Sequence, residues 1–213
     1  MSQSASRPRL MRIQRRIAAP AGILACSLTA AIGVVPAGVA QAATATCPAP
    51  VLSQPFLKWS DSYYYSLVPG GSFETPSSEW SLTGGAARVA GSEPYGVTGS
   101  VGSWSLGLPG GASAQSPFMC VEPNDRTFRF FARSEKGEAV LRVQLVYQTS
   151  AGYLISTGTK VSVKSSWEPS GILHTGAAVV TAVTGETAHL ALRFTVLSGS
   201  ARIDDVFLDP RRR

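Results

Sequence analysis

Histidine is nearly absent from this chain of 213 residues: His174 and His189 are the only two. Two histidines with no cysteine beside them do not make a zinc site. No HExxH, GxSxG or GxxxxGK[ST] pattern occurs, which removes the familiar metalloprotease, serine-hydrolase and phosphate-loop signatures. A glycosidase needs two carboxylates about 5–9.5 Å apart across a cleft, and none of the 13 acids forms a pair in a distinctive setting. A non-catalytic protein is the expectation. Asparagine is scarcer still. Asn124 is the only one, and Asp125-Arg126 follow it, so there is no N-glycosylation acceptor. Lysine is scarce beside arginine, 4 against 15, a bias that suits a GC-rich bacterial genome. Helical periodicity is missing as well: beyond the first 42 residues no stretch holds a 3.6-residue period for ten positions.

The first 42 residues are of another kind. Arg7, Arg9, Arg12, Arg15 and Arg16 precede an apolar run from Ile17 to Ala40, which ends at Ala40-Gln41-Ala42. A basic start, an apolar middle and a small-x-small end read as a secretory signal peptide, with cleavage expected after Ala42. Pro20, Pro36 and the small-residue site argue against an uncleaved membrane anchor, which needs about 20 unbroken apolar residues. A lipoprotein attached at Cys26 fits poorly, because Leu24 is unsuited to that site and the chain stays apolar well beyond it. Arg15-Arg16 lacks the rest of a twin-arginine signal. The expected organisation is a signal peptide at 1–42, a lead-in at 43–65 and one domain at 66–210.

Removing the leader alters the charge argument. The whole chain carries 19 basic and 13 acidic residues, with a sequence pI near 9.5. Five of the basic residues and none of the acids lie in 1–42, leaving 14 against 13, or +1. A nucleic-acid partner therefore loses its support, and no membrane span is expected after cleavage. Two cysteines remain, Cys47 and Cys120; an even count in an exported chain predicts a disulfide between them.

What the sequence does contain is alternation. SWSLGL places Trp104, Leu106 and Leu108 on one face, and TFRFFAR sets Phe128, Phe130 and Ala132 against Arg129, Phe131 and Arg133. AVLRVQLVYQ sets Leu141, Val143, Leu145 and Tyr147 against Arg142, Gln144, Val146 and Gln148. HLALRFTV sets Leu190, Leu192, Phe194 and Val196 against Ala191, Arg193 and Thr195. Turn-forming stretches (PGG twice, TGG, EKGE, VTGE, LSGS) separate these runs. Many short strands with one apolar face predict an all-β protein, a single β-sandwich of two packed antiparallel sheets.

The ordered set GGSFE, WSLTGGAARV, SLGL, FRFFARS, LRVQLVYQTSAG, SSWEPSG and SGSARIDDVFLDP resembles jelly-roll carbohydrate-binding modules with a galactose-binding-like fold. It covers most of 66–209. The set is also similar to stand-alone secreted actinobacterial proteins that carry such a domain without an enzyme. The resemblance implies a structural calcium ion held by Glu74 with Asp204 or Asp205, and Glu93 is a further oxygen donor with no assigned place. Ca²⁺ takes 6–8 hard oxygen ligands, so acids near strand ends suit it.

The resemblance also implies a sheet face that binds a polysaccharide or cell-wall glycan. The residues for it come from alternation: Arg129, Phe131 and Arg133 on one strand, and Arg142, Gln144 and Gln148 on the next. A hairpin through SEKGE joins the two, and Arg193 adds a third strand. A ring between guanidinium groups can stack on a sugar while the arginines donate to hydroxyls or carboxylates. Tyr95 and Tyr153, beside glycines in loops, are further contact candidates. Trp80, Trp104 and Trp167 read as core, and Trp59 has no assigned place. In SYYYSLV, alternation puts Tyr63 and Tyr65 on the packing face and leaves Tyr64 exposed. The competing expectation is a structural or interaction protein of the cell surface with the same fold and no sugar binding.

Overall fold

The computed structural model describes residues 47–76, 79–185 and 187–210, so the expected signal peptide lies outside the described residues. Among the described residues fourteen strands follow one another: β1 (Ser66–Leu67), β2 (Ser81–Thr83), β3 (Ala87–Ala90), β4 (Trp104–Leu108), β5 (Ser113–Gln115), β6 (Met119–Val121) and β7 (Thr127–Ser134). Then come β8 (Ala139–Thr149), β9 (Gly152–Ile155), β10 (Thr159–Val163), β11 (Glu168–Pro169), β12 (Leu173–His174), β13 (Ala188–Ser198) and β14 (Ala201–Asp209). The α-helix among the described residues, α1 (Ala177–Thr184), precedes β13 and ends on Gly185 in the left-handed conformation. At eight residues it is too short to leave the period sought in the sequence. No helix among the described residues is long and apolar enough to cross a membrane.

Two antiparallel sheets form a β-sandwich. The first runs β11-β7-β14-β4-β3, with β1 also on β14 and β12 also on β7. The second runs β10-β8-β13-β5-β2, with β9 also on β8 and β6 also on β13. Leu106, Phe128, Phe130, Ile203, Val206 and Leu208 from the first sheet meet Leu141, Val143, Leu190, Leu192 and Phe194 from the second in one buried core. Trp80 belongs to it, as its setting suggested, with its ring 6.0 Å from that of Phe194.

One topological expectation is overturned. The SEKGE turn does not close a hairpin: β7 lies in the first sheet and β8 in the second. The turn carries the chain across the sandwich, and the face proposed to join the two strands is split between opposite sides of the molecule. Alternation fixes which side chains share a face, but it does not say which strand is the neighbour.

The lead-in is the second unexpected part. Cys47 is bridged to Cys120 in β6, whose partner in the second sheet is His189. From there the chain passes to the first sheet. Ser53 and Tyr65 exchange backbone hydrogen bonds of 2.9 and 2.8 Å, and the loop between them turns through a short 3-10 segment at Leu57–Trp59. That loop sets Phe56 and Trp59 against the outer face of the first sheet, where Phe56, Tyr65, Phe131 and Phe207 form a second apolar cluster.

Candidate functional site

The outer face of the first sheet is closed. Phe131 does point away from the main core, but it is fully buried, with Phe56 stacked 5.4 Å from it and Trp59 5.3 Å away. Arg129 is buried beside it, its Nη1 donating to Asp61 Oδ2 at 2.8 Å, and its Nε and Nη2 donating to the Ser170 carbonyl. Arg133 is half-buried near the Trp167 ring and Glu135. Tyr95 packs on Trp59, and its hydroxyl donates to the Trp167 carbonyl at 2.7 Å. The expected binding strand of Arg129, Phe131 and Arg133 is thus corrected to a packing layer, and Tyr95, expected as a separate loop contact, is part of the same layer. Trp167 belongs to this layer and not to the main core, and Trp104 lies half-buried under the Arg88 guanidinium, 3.7 Å from its ring.

The outer face of the second sheet is open and polar. Arg142 and Gln144 on β8, Arg193 and Thr195 on β13, Ser113 and Gln115 on β5, and Ser81 and Thr83 on β2 line one trough of about 370 Å³. The register makes this grouping necessary. Thr195 lies opposite Arg142 and Ser113, Arg193 lies opposite Gln144 and Gln115, and β2 pairs Ser81 with Gln115 and Thr83 with Ser113. Directly paired residues project to the same side of a sheet. Lys160 on β10, opposite Arg142, joins the same face. Of the expected set, Arg142, Gln144 and Arg193 come together here. Gln148 and Tyr153 share the face but lie further along it, where Tyr153 pairs with Gln148 and stacks on Phe118 at 5.9 Å. Val146 and Ala191, both buried, separate the two groups.

Two features shape the trough. Ser156 holds the β9–β10 connection against β8: its hydroxyl accepts from Leu145 N at 2.9 Å and its carbonyl accepts from Gln144 Nε2 at 2.9 Å. Gly158 then passes so close that a Cβ there would lie 2.7 Å from Gln144 Cγ and 2.8 Å from Arg142 Cγ. Arg193 donates twice to Gln115 Oε1, at 3.0 and 2.8 Å, which fixes its guanidinium. Arg142 Nε is buried with no hydrogen-bond partner among the described residues. Sequence reasoning missed Gln115, Ser113, Ser81 and Thr83. They sit on three-residue strands too short for alternation to register, and "SAQ" between PGG and a proline was the sole trace.

The acids expected to hold calcium lie elsewhere, where β14 carries a bulge between Asp204 and Phe207 and Asp205 adopts φ 44°. The bulge turns Val206 into the core and Phe207 outward. Asp204 Oδ2 accepts from Ser92 Oγ at 2.7 Å and from Glu93 N at 3.0 Å, while its Oδ1 accepts from Asp205 N. Glu93, fully buried, accepts from the backbone of Tyr95, Gly96 and Val97. Exposed Glu74 accepts from Ser103 and Trp104 N through Oε1. Burial pushes the Asp204 carboxyl up to about 7. Burial, then the charges of Asp204 and Glu93, pushes Asp205 up to about 8, in hydrogen-bond contact with Glu93. Among the described residues no three such side chains gather at metal-holding spacing.

Two larger concavities remain. A groove of about 880 Å³ between the lead-in and the sandwich is lined mainly by apolar groups such as Pro48, Val51, Leu67, Phe118 and Leu208. A second hollow, about 790 Å³, has Trp59, Tyr63, Tyr64 and Ile172 around the Asp61–Arg129 pair. Tyr64 is exposed and Tyr65 buried, as alternation required.

No family model matches the sequence, and no curated protein matches it. Among solved structures the chain is similar to the CBM22-1 and GH10 modules of endo-1,4-beta-D-xylanase 10B from Clostridium thermocellum, solved with xylohexaose. Identity is 14% and the TM-score 0.46, over 67% of this chain and 28% of that one. It is also similar to the CBM22-1 xylan-binding domain of Paenibacillus barcinonensis Xyn10C, at 13% identity and TM-score 0.43, over 67% of this chain and 93% of that one. A third is the family 11 carbohydrate-binding module of Clostridium thermocellum in complex with a β-1,3-1,4-mixed-linked tetrasaccharide, at 10% identity and TM-score 0.44. That match covers 65% of this chain and 92% of the module.

Proposed function

We propose that the protein is a secreted, non-catalytic glycan-binding module that takes a polysaccharide across the outer face of its second sheet. The observation that carries this reading is the trough itself. Eight hydrogen-bonding side chains from four adjacent strands face one open depression, while the opposite sheet has its outer face covered. Sugar hydroxyls both donate and accept, and so do the Gln, Ser and Thr side chains; guanidinium groups add fixed donors. Secretion is supported by the leader-like start of the sequence and by the Cys47–Cys120 bridge, a bond that persists in oxidising compartments. The non-catalytic reading is supported by the buried acids: Glu93, Asp204 and Asp205 line none of the three concavities, and Asp61, which lines the second hollow, is tied to Arg129 and Tyr65.

Affinity electrophoresis of the purified protein through gels holding neutral and acidic plant polysaccharides tests the reading. Retardation on at least one polysaccharide is expected, together with its loss in Gln115→Ala and Gln144→Ala. Migration unaffected by every polysaccharide would leave the fold as a structural or interaction module only.

A further inference from the structure

Resting on the glycan-binding reading of the trough, we propose that its ligand is an acidic glycan, one whose sugars carry carboxylates. The argument begins with charge. Beyond residue 42 the chain is close to neutral, 14 basic against 13 acidic residues. The trough departs from that balance: Arg142 and Arg193 line it, Lys160 stands opposite Arg142 on the next strand, and no acid lines it. Arg129, the buried arginine among the described residues, is by contrast paired with Asp61, and Arg133, whose Nε also lacks a hydrogen-bond partner, has its charge met by Glu135. Arg142 makes no ion pair among the described residues, and its Nε is buried without an acceptor.

Geometry makes the lack specific. Arg142 and Arg193 are diagonal neighbours on adjacent antiparallel strands, since Thr195 faces Arg142 while Arg193 faces Gln144. Such positions stand about 7–8 Å apart, within reach of long side chains. Arg193 is held by a neutral amide, Gln115 Oε1, which orients it without neutralising it. A planar carboxylate matches the guanidinium fork and accepts charge-assisted bonds from both arginines. Around them, Gln144 gives its amide nitrogen to the Ser156 carbonyl and Ser113 its hydroxyl to the Phe194 carbonyl, so the Gln144 Oε1 and the remaining lone pairs of Ser113 and Thr195 are what meet the hydroxyls of the same sugar. A neutral sugar would leave the positive charge of this face without a counter-charge.

The experiment compares retention of the full protein on polygalacturonate, on its fully methyl-esterified form, on neutral xylan and β-glucan, and on dextran sulfate. Tight binding to polygalacturonate is expected, with loss on esterification and weakening in about 0.5 M salt, where charge interactions are screened within about 4 Å. Arg142→Gln is expected to weaken it about tenfold or more, the worth of one hydrogen bond to a charged group. Equal binding of the acid and its ester, or of neutral chains alone, overturns the acidic ligand and leaves glycan binding standing. Dextran sulfate bound as tightly as polygalacturonate overturns carboxylate recognition in favour of simple ion exchange. Unchanged binding by a folded Arg142→Gln variant removes the assignment to this trough. Failure on every polysaccharide sinks the glycan reading as well.

Discussion

Asp61 joins groups that the chain brings from far apart: its Oδ2 accepts from Tyr65 Oη at 2.7 Å and from Arg129 Nη1 at 2.8 Å. Both charges are buried and the Arg129 guanidinium lies over the Phe56 ring. Removing one partner strands the other, so Asp61→Ala should cost about 3–5 kcal/mol, measured by chemical denaturation. Burial and the neighbouring Asp61 carboxylate also drive the Tyr65 hydroxyl upward, so it stays a donor at any working pH. The acids on β14 act in the opposite sense to most carboxylates. Asp204 and Asp205 hold protons up to about pH 7 and 8 when folded, whereas an unfolded aspartate releases its proton near 4. Between those values the folded state binds more protons, so stability falls as pH rises through the window. In calcium-free buffer the melting temperature should drop between about pH 5 and pH 8.5. Asp205→Asn should flatten that slope, because an amide replaces the protonated donor toward Glu93 and Asn tolerates a positive φ. Adding calcium should leave the melting temperature unchanged; a clear rise would mean that the carboxylates regroup around the ion. In the sequence these acids were visible as IDDV, but their mutual contacts were not, because a one-residue bulge reorients them.

At the scale of elements, the lead-in decides which sheet face is available. It is pinned to β6 by Cys47–Cys120, 73 residues apart, and it presses Phe56 onto β7 and β14. Replacing both cysteines by serine should cost about 4 kcal/mol on the loop-entropy estimate, seen as a lower denaturation midpoint. Phe56→Ala should cost about 3–5 kcal/mol and make the 47–65 segment an early site of limited proteolysis. On the other side, Gly158→Ala should cost about 1–3 kcal/mol by overpacking against the Arg142 and Gln144 stems, and should weaken polysaccharide retention more than a surface change elsewhere. The alternation of TFRFFAR was fully legible: Phe128 and Phe130 face inward and Phe131 outward. What covers Phe131 was not legible, because Phe56 lies 75 positions earlier and makes its contact through a loop with no period of its own. The same limit hid the crossing at SEKGE, where the turn residues are those of a hairpin and only the partner strand differs.

As a whole, the molecule is a sandwich whose two outer faces have opposite fates, one covered by aromatic packing and the other left as a polar trough. The sandwich was legible because every strand repeats the same apolar–polar pattern; the assignment of faces was not, because it depends on pairings between strands far apart in sequence. Salt is the whole-molecule test: retention on an acidic polysaccharide should weaken with ionic strength while the melting temperature hardly moves, since the buried Asp61–Arg129 pair is screened far less than the open trough. One feature of β14 bears on how the chain reaches this state. Ile203, Val206 and Leu208 fill the main core while Phe207 closes the second cluster, and Ser66 at the other end of the domain pairs with Leu208. Of the strands among the described residues, this one is the last in sequence. Without it the first sheet loses the strand between β7 and β4, and both apolar clusters lose part of their lining. Closing the sandwich therefore depends on pairings between strands distant in sequence, the kind of contact that makes folding slow.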